Sequence, residues 1–200
     1  MYVNNKNYKE NAVYILLTNM RIISGKARGI KLTTIEGIST RPTTDRIKEN
    51  IFNIIAFEIG ESDVLDLFSG SGAIGLEFAS RGAKKVSMVE NNPKCIKFIK
   101  ANINATSLND LVEIYTENVF NSFRFFSSNS FDIIFMDPPY SKNLVNETIE
   151  LIAEKKILKK DGIIIAEHDI KDEVFEKICD IEKYKYKKYG KTGVSFYRRK

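Results

Sequence analysis

The chain has 200 residues, of which 43% are hydrophobic and 28% are charged. This balance is typical of one globular domain and argues against a disordered chain. Two distant cysteines and a single histidine argue against a disulfide scaffold, a zinc site and a histidine-based catalytic triad. The early apolar run 13–17 is too short for a signal peptide or a membrane span, so we expect a cytoplasmic protein with reduced thiols.

The net charge of +5 is distributed unevenly along the chain. Residues 21–50 carry seven Lys and Arg against three Asp and Glu, and residues 183–200 carry eight Lys and Arg with no acid. The stretch between them is acidic. Two basic ends around an acidic centre favour binding to a polyanion over an ordinary solvated surface.

The N-terminal part of the chain divides into two predicted segments. Residues 1–19 show no useful periodicity, and because Met20 opens the organised region we expect a disordered or mis-assigned leader. Residues 20–60 follow, and the two β-like runs around a glycine in 21-RIISGKARGIKLTTI-35 predict a hairpin. The segment 41-RPTTDRIKENIFNIIAFEI-59 predicts a turn and then an amphipathic helix with isoleucines on one side.

From residue 61 to residue 200, β-branched runs alternate with helical stretches. The predicted strands are 63-DVLDLF-68, 85-KVSMVE-90, 112-VEIYTE-117, 131-FDIIFMD-137 and 161-DGIIIAEH-168. The predicted helices are 93-PKCIKFIKANINA-105 and 143-NLVNETIELIAEK-155. This alternation predicts an α/β fold with a mostly parallel sheet covered on both faces. The segments 183-KYKYKKYG-190 and 192-TGVSFYRRK-200 predict an antiparallel pair at the sheet edge.

The first of these strands leads into 65-LDLFSGSGAIG-75, where Gly70, Gly72 and Gly75 follow a G-x-G-x-x-G spacing. Such glycines permit a sharp turn and let a ligand approach backbone amides at a helix N-terminus. The spacing alone fits a dinucleotide site or a purely structural turn equally well. Asp66, however, would repel a phosphate and suits a cationic amino group. The carboxylate therefore favours S-adenosylmethionine as the cofactor.

Polar side chains also end three other predicted strands. A carboxylate at Glu90 is suited to accept hydrogen bonds from two ribose hydroxyls, although it equally fits a charge before a helix that starts at Pro93. Asn118 and Val119 follow the next strand and suit the amine edge and the ring of an adenine. His168 ends the last of the five strands, either as a structural residue or in contact with substrate.

The fourth strand ends in 137-DPPY-140. Pro138 and Pro139 stiffen the turn and fix the carbonyl of Pro138, so that this oxygen and the Asp137 carboxylate form two acceptors aimed at one NH₂ group. Tyr140 offers a flat face for stacking a base. Two acceptors on an exocyclic amine orient its lone pair toward a methyl donor, and proximity and electrostatics then drive the transfer. The alternative is a Pro-Pro turn that only ends the strand.

The glycine loop, the acid at Glu90 and the DPPY motif together resemble the amino-methylating class I methyltransferases. The segments 21-RIISGKARGIKL-32 and 41-RPTTDRIKENIFNII-55 resemble, more specifically, the RsmD-type bacterial enzymes. The resemblance covers Met20 to about Lys200. It implies methylation of the N2 amine of one guanine in small-subunit ribosomal RNA, guanine 966 of 16S rRNA.

The resemblance also implies a Rossmann-like, seven-stranded, mostly parallel sheet with an antiparallel last strand. A small hairpin and helix at 20–60 would contact the RNA, and 61–200 would form the S-adenosylmethionine-binding catalytic domain. We expect a monomer that acts on free rRNA or an assembling subunit, without a metal ion or a membrane partner. The target base would have to leave its stack to reach the pocket.

Site residues are assigned by the same resemblance. The cofactor would be held by Asp66, Phe68, Gly70, Gly72, Glu90, Asn118 and Val119. The target guanine would contact Asp137, Pro138, Pro139 and Tyr140. RNA phosphates would meet Lys26, Arg28, Lys31, Arg41 and Arg46, unless these side chains form an ordinary solvated face. The family more often carries an acid than an asparagine at position 118, which is one departure from its pattern.

Two other functions are compatible with these motifs. DNA adenine-N6 methyltransferases also use DPPY, but 200 residues leave little room for a separate target-recognition domain. A non-catalytic nucleic-acid-binding module would share the fold, although the intact DPPY motif and Asp66 argue against it.

Overall fold

The computed structural model describes residues 15–16, 20–35, 45–139 and 143–200. The strands are β1 (Ile15–Leu16), β2 (Thr34–Ile35), β3 (Asp63–Leu67), β4 (Lys85–Val89), β5 (Val112–Tyr115), β6 (Phe131–Met136), β7 (Leu158–Asp169), β8 (Lys177–Ile178), β9 (Ile181–Tyr189) and β10 (Thr192–Arg199). The α-helices are α1 (Asp45–Ile54), α2 (Ala73–Ser80), α3 (Pro93–Thr106), α4 (Val119–Ser122) and α5 (Leu144–Lys155). Among the described residues, no helix has the length and apolar character needed to cross a bilayer.

Eight strands form one sheet in the order β5-β4-β3-β6-β7-β10-β9-β8. The five strands from β5 to β7 are parallel, and β10 lies between β7 and β9 and runs antiparallel to both. The predicted mostly parallel sheet with an antiparallel last strand is therefore confirmed. The structure adds β8, a two-residue strand beside β9, which is too short to leave a periodic signal in the sequence.

Helices cover both faces of the sheet. Along β3, Val64 packs into one buried cluster with α1, α2 and α3, whereas Leu65 and Leu67 pack into a second cluster with α5. Successive side chains of a strand point to opposite faces, so two apolar faces require two helical layers. This arrangement leaves the carboxyl ends of the parallel strands open along one edge.

The segment that precedes α1 folds back on itself as the sequence predicted. Arg21 and Lys31 form an antiparallel bridge, and the N–H of Ile22 donates to the carbonyl of Ile30 at 3.0 Å. Ile22 and Leu32 are fully buried in the cluster that contains α1, α2 and α3. The hairpin thus packs on the same core as the sheet.

A buried carboxylate on α2 connects this hairpin to the helices that cover the sheet. Glu77 is fully buried and accepts hydrogen bonds from the N–H groups of Ile23, at 2.8 Å, and Ser24, at 3.0 Å. It also forms ion pairs with Lys48 of α1, at 3.4 Å, and with Arg81, at 2.7 Å. One side chain therefore joins the hairpin, α1 and α2.

The predicted leader 1–19 falls mostly on residues outside the described ranges. Of these residues, Ile15 and Leu16 are described as β1, which pairs antiparallel with β2. One strand of this pair therefore comes from within the segment that we expected to be a leader.

Candidate active site

A cleft of about 420 Å³ opens at the carboxyl ends of β3, β4, β5 and β6. Ligands of open α/β sheets bind at this edge, and the volume is in the range of small-molecule sites. The structure brings together in its lining seven of the predicted residues, Phe68, Gly70, Glu90, Asn118, Val119, Asp137 and Pro139. Residues separated by 71 positions in the sequence thus line one cleft.

The loop after β3 turns through left-handed backbone conformations. Phe68, Gly70 and Gly72 have φ angles of 61°, 56° and 78°. A positive φ is uncommon for a bulky residue such as Phe68, and such strained positions cluster at ligand sites. The loop ends at Gly72, which directly precedes α2 and does not line the cleft.

Glu90 connects this loop to the one that follows β4. Its Oε2 accepts from the N–H of Gly70 at 2.8 Å, and its Oε1 accepts from Asn91 at 2.9 Å and Asn92 at 2.8 Å. A carboxylate has roughly four acceptor positions, so the side chain still has capacity for a ligand hydroxyl. This geometry fits the predicted contact with a ribose.

Asp66 lies beneath the loop rather than in the lining of the cleft. Its side chain is only 1% exposed, and its Oδ2 accepts from the N–H of Gly75 at 3.1 Å. Burial, followed by the negative charge of Glu90, raises the pKa of Asp66 to about 7. The carboxylate supports the turn, and its direct contact with a cofactor amine stays a prediction.

Gly75, the third glycine of the motif, lies so close to β3 and β4 that a side chain here would displace Met88. A Cβ at this position would lie 2.4 Å from Cε of Met88 and 3.0 Å from Oδ2 of Asp66. Side chains essentially never approach this closely. Gly75 therefore lets α2 pack on β4, instead of forming part of a phosphate site.

Asn118 caps the short helix α4. Its Oδ1 accepts from the N–H of Phe120 at 2.9 Å, while the side chain remains exposed at the cleft. The preceding residue, Glu117, also lines the cleft and forms an ion pair with Arg124 at 2.7 Å. The N–H of Asn118 donates to Glu117 and lowers the pKa of this acid. Sequence reasoning missed Glu117. This acid lies one position before residue 118, where the family more often carries an acid.

Asp137 lies just beyond the end of β6. Burial raises the pKa of this carboxyl well above its usual range, and the charges of Glu167 and Asp66 add to the shift. Glu167 is 2% exposed, and the register that pairs Met136 with Ala166 places Asp137 and Glu167 at neighbouring positions. Sequence reasoning missed Glu167, although it precedes His168 at the same strand end.

The two prolines after Asp137 have different environments. Pro138 is buried and is absent from the lining of the cleft, whereas Pro139 is exposed and lines it. Tyr140 lies outside the described residues, as does Arg41. The predicted stacking by Tyr140 and the phosphate contact by Arg41 therefore stay predictions.

His168 has a structural role in the described molecule. It is 2% exposed, its Nε2 lies 2.9 Å from Oγ of Ser195, and its Nδ1 lies 2.8 Å from the carbonyl oxygen of Asp169. Burial lowers the pKa of the imidazole. Because both ring nitrogens have protein partners, the structural interpretation of His168 fits better than a direct contact with substrate.

Cys95 is a further lining residue that the sequence analysis did not select. Burial, together with the charge of Glu90, raises the pKa of its thiol to about 11. A thiol with this pKa is almost entirely protonated at neutral pH and is a poor nucleophile. Cys95 therefore forms part of the wall of the cleft and does not act as a nucleophile.

Four of the predicted RNA-binding side chains belong to exposed residues, namely Lys26, Arg28, Lys31 and Arg46. None of the four forms an ion pair with an acid of the described ranges. Unpaired surface cations are available to phosphates, so their environment is compatible with the predicted role.

Asn102 of α3 links the hairpin to the glycine loop. Its Oδ1 accepts from the N–H of Thr33 at 2.8 Å, and its Nδ2 donates to the carbonyls of Thr33 and Ser71, both at 2.9 Å. The side chain is 1% exposed. A single buried amide thus holds the loop that lines the cleft against the segment that carries the basic residues.

Comparison with known proteins places this chain in a family. Residues 20–198 match the family described as Conserved hypothetical protein 95. The chain is 37% identical to YlbH of Bacillus subtilis, described as a putative rRNA methyltransferase, over 90% of this chain and 100% of the relative. It is 33% identical to ribosomal RNA small subunit methyltransferase D of Haemophilus influenzae, over 90% and 92% of the two chains.

Solved structures extend this similarity to the fold. The structure of yhhF from Escherichia coli, described as a putative methyltransferase, superposes with a TM-score of 0.80 at 30% identity. The match covers 90% of this chain and 97% of that one. The resemblance inferred from the motifs is confirmed, and the chain belongs to the RsmD-type methyltransferase family, the family described as Conserved hypothetical protein 95.

Proposed function

We propose that this protein transfers a methyl group from S-adenosylmethionine to the exocyclic N2 amine of a guanine in small-subunit ribosomal RNA, guanine 966 of 16S rRNA. The observation that carries the proposal is the common cleft. It joins the strained loop at Phe68 and Gly70, the acceptor Glu90 and the carboxylate Asp137. The names of the relatives at 33% and 37% identity support ribosomal RNA as the substrate.

The cleft fits the cofactor in several respects. Glu90 has a remaining acceptor for a ribose hydroxyl, the buried Val119 offers an apolar wall for an adenine, and Asn118 lies at its rim. The acidic surroundings of Asp137 favour a cation over a phosphate. S-adenosylmethionine supplies a methyl group on a positively charged sulfur, which is complementary to this field.

Asp137 would orient the target amine and receive its charge. S-adenosylmethionine, when bound, would supply the methyl group, and its sulfur would keep the electron pair of the C–S bond as the amine nitrogen forms the new N–C bond. The nitrogen then carries a positive charge and loses a proton to Asp137 or to water. A carboxylate placed at the developing charge stabilises it, and fixed geometry provides the remaining acceleration.

The basic residues would position the RNA. Lys26, Arg28, Lys31 and Arg46 lie on the hairpin and at the start of α1, where contacts with phosphates would hold the RNA without reading its sequence. An expected cytoplasmic location and a monomeric state belong to the same proposal.

Methyl transfer from labelled S-adenosylmethionine to purified small-subunit rRNA, to small subunits and to duplex DNA tests this function. We expect label in RNA, at N2 of guanine, and its loss when guanine 966 is replaced by adenine. Label in duplex DNA alone would show an adenine-N6 methyltransferase and overturn the proposal.

The role of Asp137 is tested by Asp137→Ala and by Asp137→Asn. We expect both variants to bind the cofactor and to lose at least about a hundredfold in turnover, the scale on which a preorganised electrostatic group acts. Glu154→Gln, in an exposed side chain of α5, serves as the matched control. Unchanged methylation in Asp137→Ala would contradict the catalytic assignment and favour a non-catalytic binding module.

A further inference from the structure

We propose that the exposed end of β9 and the turn after it, residues 184–191, form a second RNA-binding surface, in which Tyr186 stacks on an unpaired base and the lysines meet phosphates. The proposal rests on the RNA methyltransferase function and extends it to a surface outside the 20–60 segment.

The position of this surface follows from the sheet register. Thr192 of β10 pairs with Asp169 at the end of β7 and with Tyr189 at the end of β9. The N–H of Ile170 donates to the carbonyl of Lys191 at 3.1 Å. Because β7 is parallel to β6, the end of β9 lies at the same edge of the sheet as Asp137.

The lysines of β9 and its turn differ in whether they form ion pairs, and the difference depends on how close they lie to this edge. At the far end of β9, Lys183 pairs with Glu176, and Glu182 pairs with Lys200. Toward the active-site edge, none of the exposed lysines has an ion-pair partner among the described residues. They are Lys185, Lys187, Lys188 and Lys191. Positive charge is therefore neutralised away from the site and left uncompensated beside it.

Tyr186 provides a rigid aromatic face beside these lysines. Because successive side chains of a strand point to opposite faces, Tyr186 shares its face of the sheet with Lys188, whereas Lys185 and Lys187 lie on the other face. The residue is 44% exposed, and its ring stacks on buried His168 with a centroid distance of 6.1 Å and an interplanar angle of 26°. A Cβ at Gly193 would lie 3.0 Å from Cε2 of Tyr186 and 2.8 Å from Cε1 of His168. The absence of a side chain at Gly193 thus lets both rings pack over the β10 backbone, and this packing holds the Tyr186 ring in place.

Tyr184 is exposed to a similar extent, 42%, but its ring has two described neighbours, one of them a cation, where that of Tyr186 has one. The guanidinium of Arg198 lies 5.3 Å from the ring centroid, and Phe196 packs at 6.3 Å. Tyr184 is therefore less available to a base than Tyr186, and the pair forms a built-in comparison.

The basic surface is continuous with the N-terminal one. Burial raises the pKa of Tyr189, at the end of β9, and the nearby charge of Arg46 opposes this shift. Tyr189 also packs against the buried cluster that contains Ile47 of α1, so this end of β9 lies on the α1 side of the sheet. One RNA strand would be able to pass from the hairpin region to the face of β9 that carries Lys185 and Lys187, and around the open strand edge to Tyr186.

The chemistry of the surface fits single-stranded RNA. Flexible lysines follow a phosphate backbone without sequence preference, and an exposed ring stacks on a base that is not paired. A base that must leave its helix to reach Asp137 also leaves its neighbours partly unstacked. Tyr186 is suited to receive such a neighbour.

The first test measures binding of a fluorescent single-stranded RNA from the small-subunit rRNA at several salt concentrations. The double variant Lys187→Gln/Lys188→Gln is compared with Lys183→Gln/Lys200→Gln, which removes the same charge from the paired end. We expect the first to weaken binding about tenfold and to reduce the salt slope by about 1.4, because each lost phosphate contact changes it by about 0.7 on single strands. The control should stay close to the native protein.

The second test addresses stacking. Tyr186→Ala should weaken RNA binding at least about fivefold. Tyr186→Phe keeps the ring and should bind RNA as the native protein does. Tyr184→Ala should have a smaller effect than Tyr186→Ala. Thermal melting and calorimetry with S-adenosylmethionine check that the fold and cofactor affinity are retained. The KM for RNA should rise in Tyr186→Ala while the kcat at saturating RNA stays the same.

The outcomes separate this proposal from the proposed function. Unchanged RNA binding by both sets of variants, in a protein that methylates rRNA, overturns the second surface alone. If the variants lose RNA binding but the native protein methylates only DNA, the proposed function is overturned and the second surface is retained. Preference of this surface for duplex DNA over single-stranded RNA of equal length would show that the assigned partner is wrong.

Discussion

The carboxylate of Glu77 and the ammonium group of Lys48 form an ion pair at 3.4 Å in the interior, where both side chains are at most 2% exposed. Lys48 also donates to the carbonyl of Arg21 at 2.6 Å. Burial lowers the pKa of Lys48, and the charge of Glu77 opposes this shift. The carboxylate is therefore what keeps a buried cation compatible with the fold.

Glu77→Gln should strongly destabilise the protein. The substitution leaves two cations beside an uncharged amide, and loss of one partner of a buried pair typically costs about 3–5 kcal/mol of unfolding free energy. Urea denaturation measures the loss. Glu113→Gln is the matched control, because Glu113 pairs with Lys85 at the surface, where such pairs contribute about 1 kcal/mol or less. Equal losses in the two variants would contradict the role assigned to Glu77.

Gly25→Ala and Gly29→Ala should differ in their effect on stability. The φ angles are nearly the same, +83° and +85°, so the backbone strain of about 1–2 kcal/mol is common to both. A Cβ at position 25 would lie 1.9 Å from the carbonyl oxygen of Ser80, whereas at position 29 it meets nothing within 4 Å. Thermal melting should show a clearly lower Tm for Gly25→Ala, and a similar Tm for both variants would argue against tight docking of the hairpin on α2.

Asp66 should make the protein less stable as the pH rises through neutrality. Its pKa is about 7 in the folded protein against an ordinary value of 3.8, so the folded state holds a proton that the unfolded state has lost between these values. Stability therefore falls over this window. Between pH 5 and pH 8, the unfolding free energy of Asp66→Asn relative to the native protein should rise by about 3 kcal/mol. If the difference in unfolding free energy between the two proteins, measured by urea denaturation, does not change with pH, Asp66 is ionised over this whole pH range.

Asn102→Ala should weaken both folding and cofactor binding. It removes the partners of the Thr33 backbone and of the Ser71 carbonyl, and unsatisfied buried groups cost about 1–3 kcal/mol each. Because Ser71 belongs to the glycine loop, calorimetry should also show a lower affinity for S-adenosylmethionine. Asn104→Ala, an exposed position on the same helix, should change neither. Full cofactor affinity in Asn102→Ala would show that the loop is held independently of α3.

The sequence predicted the strands and the polar residues at their ends because both depend on local patterns. The apolar run 63–67 and the DPPY motif after β6 are readable from neighbouring residues. Parallel strands bring their carboxyl ends to one edge, so the cleft followed from the order of the elements.

Buried polar residues were not predictable in the same way. Glu77 lies in a helix, where a charged residue suggests a solvated face, and its burial depends on Ile23 and Ser24, more than fifty positions away. Asn102 and Glu167 are buried for similar reasons. Their roles depend on long-range contacts that no local periodicity contains.

The lysine-rich end of β9 has a consequence in the absence of RNA. Within the described residues, only Ile181 and Glu182 of this strand have a pairing partner on the side away from β10. An exposed strand edge invites pairing with another chain, and closely spaced lysines oppose it through charge repulsion. The same charges that would hold an RNA strand thus protect the newly made protein against aggregation through its open β edge.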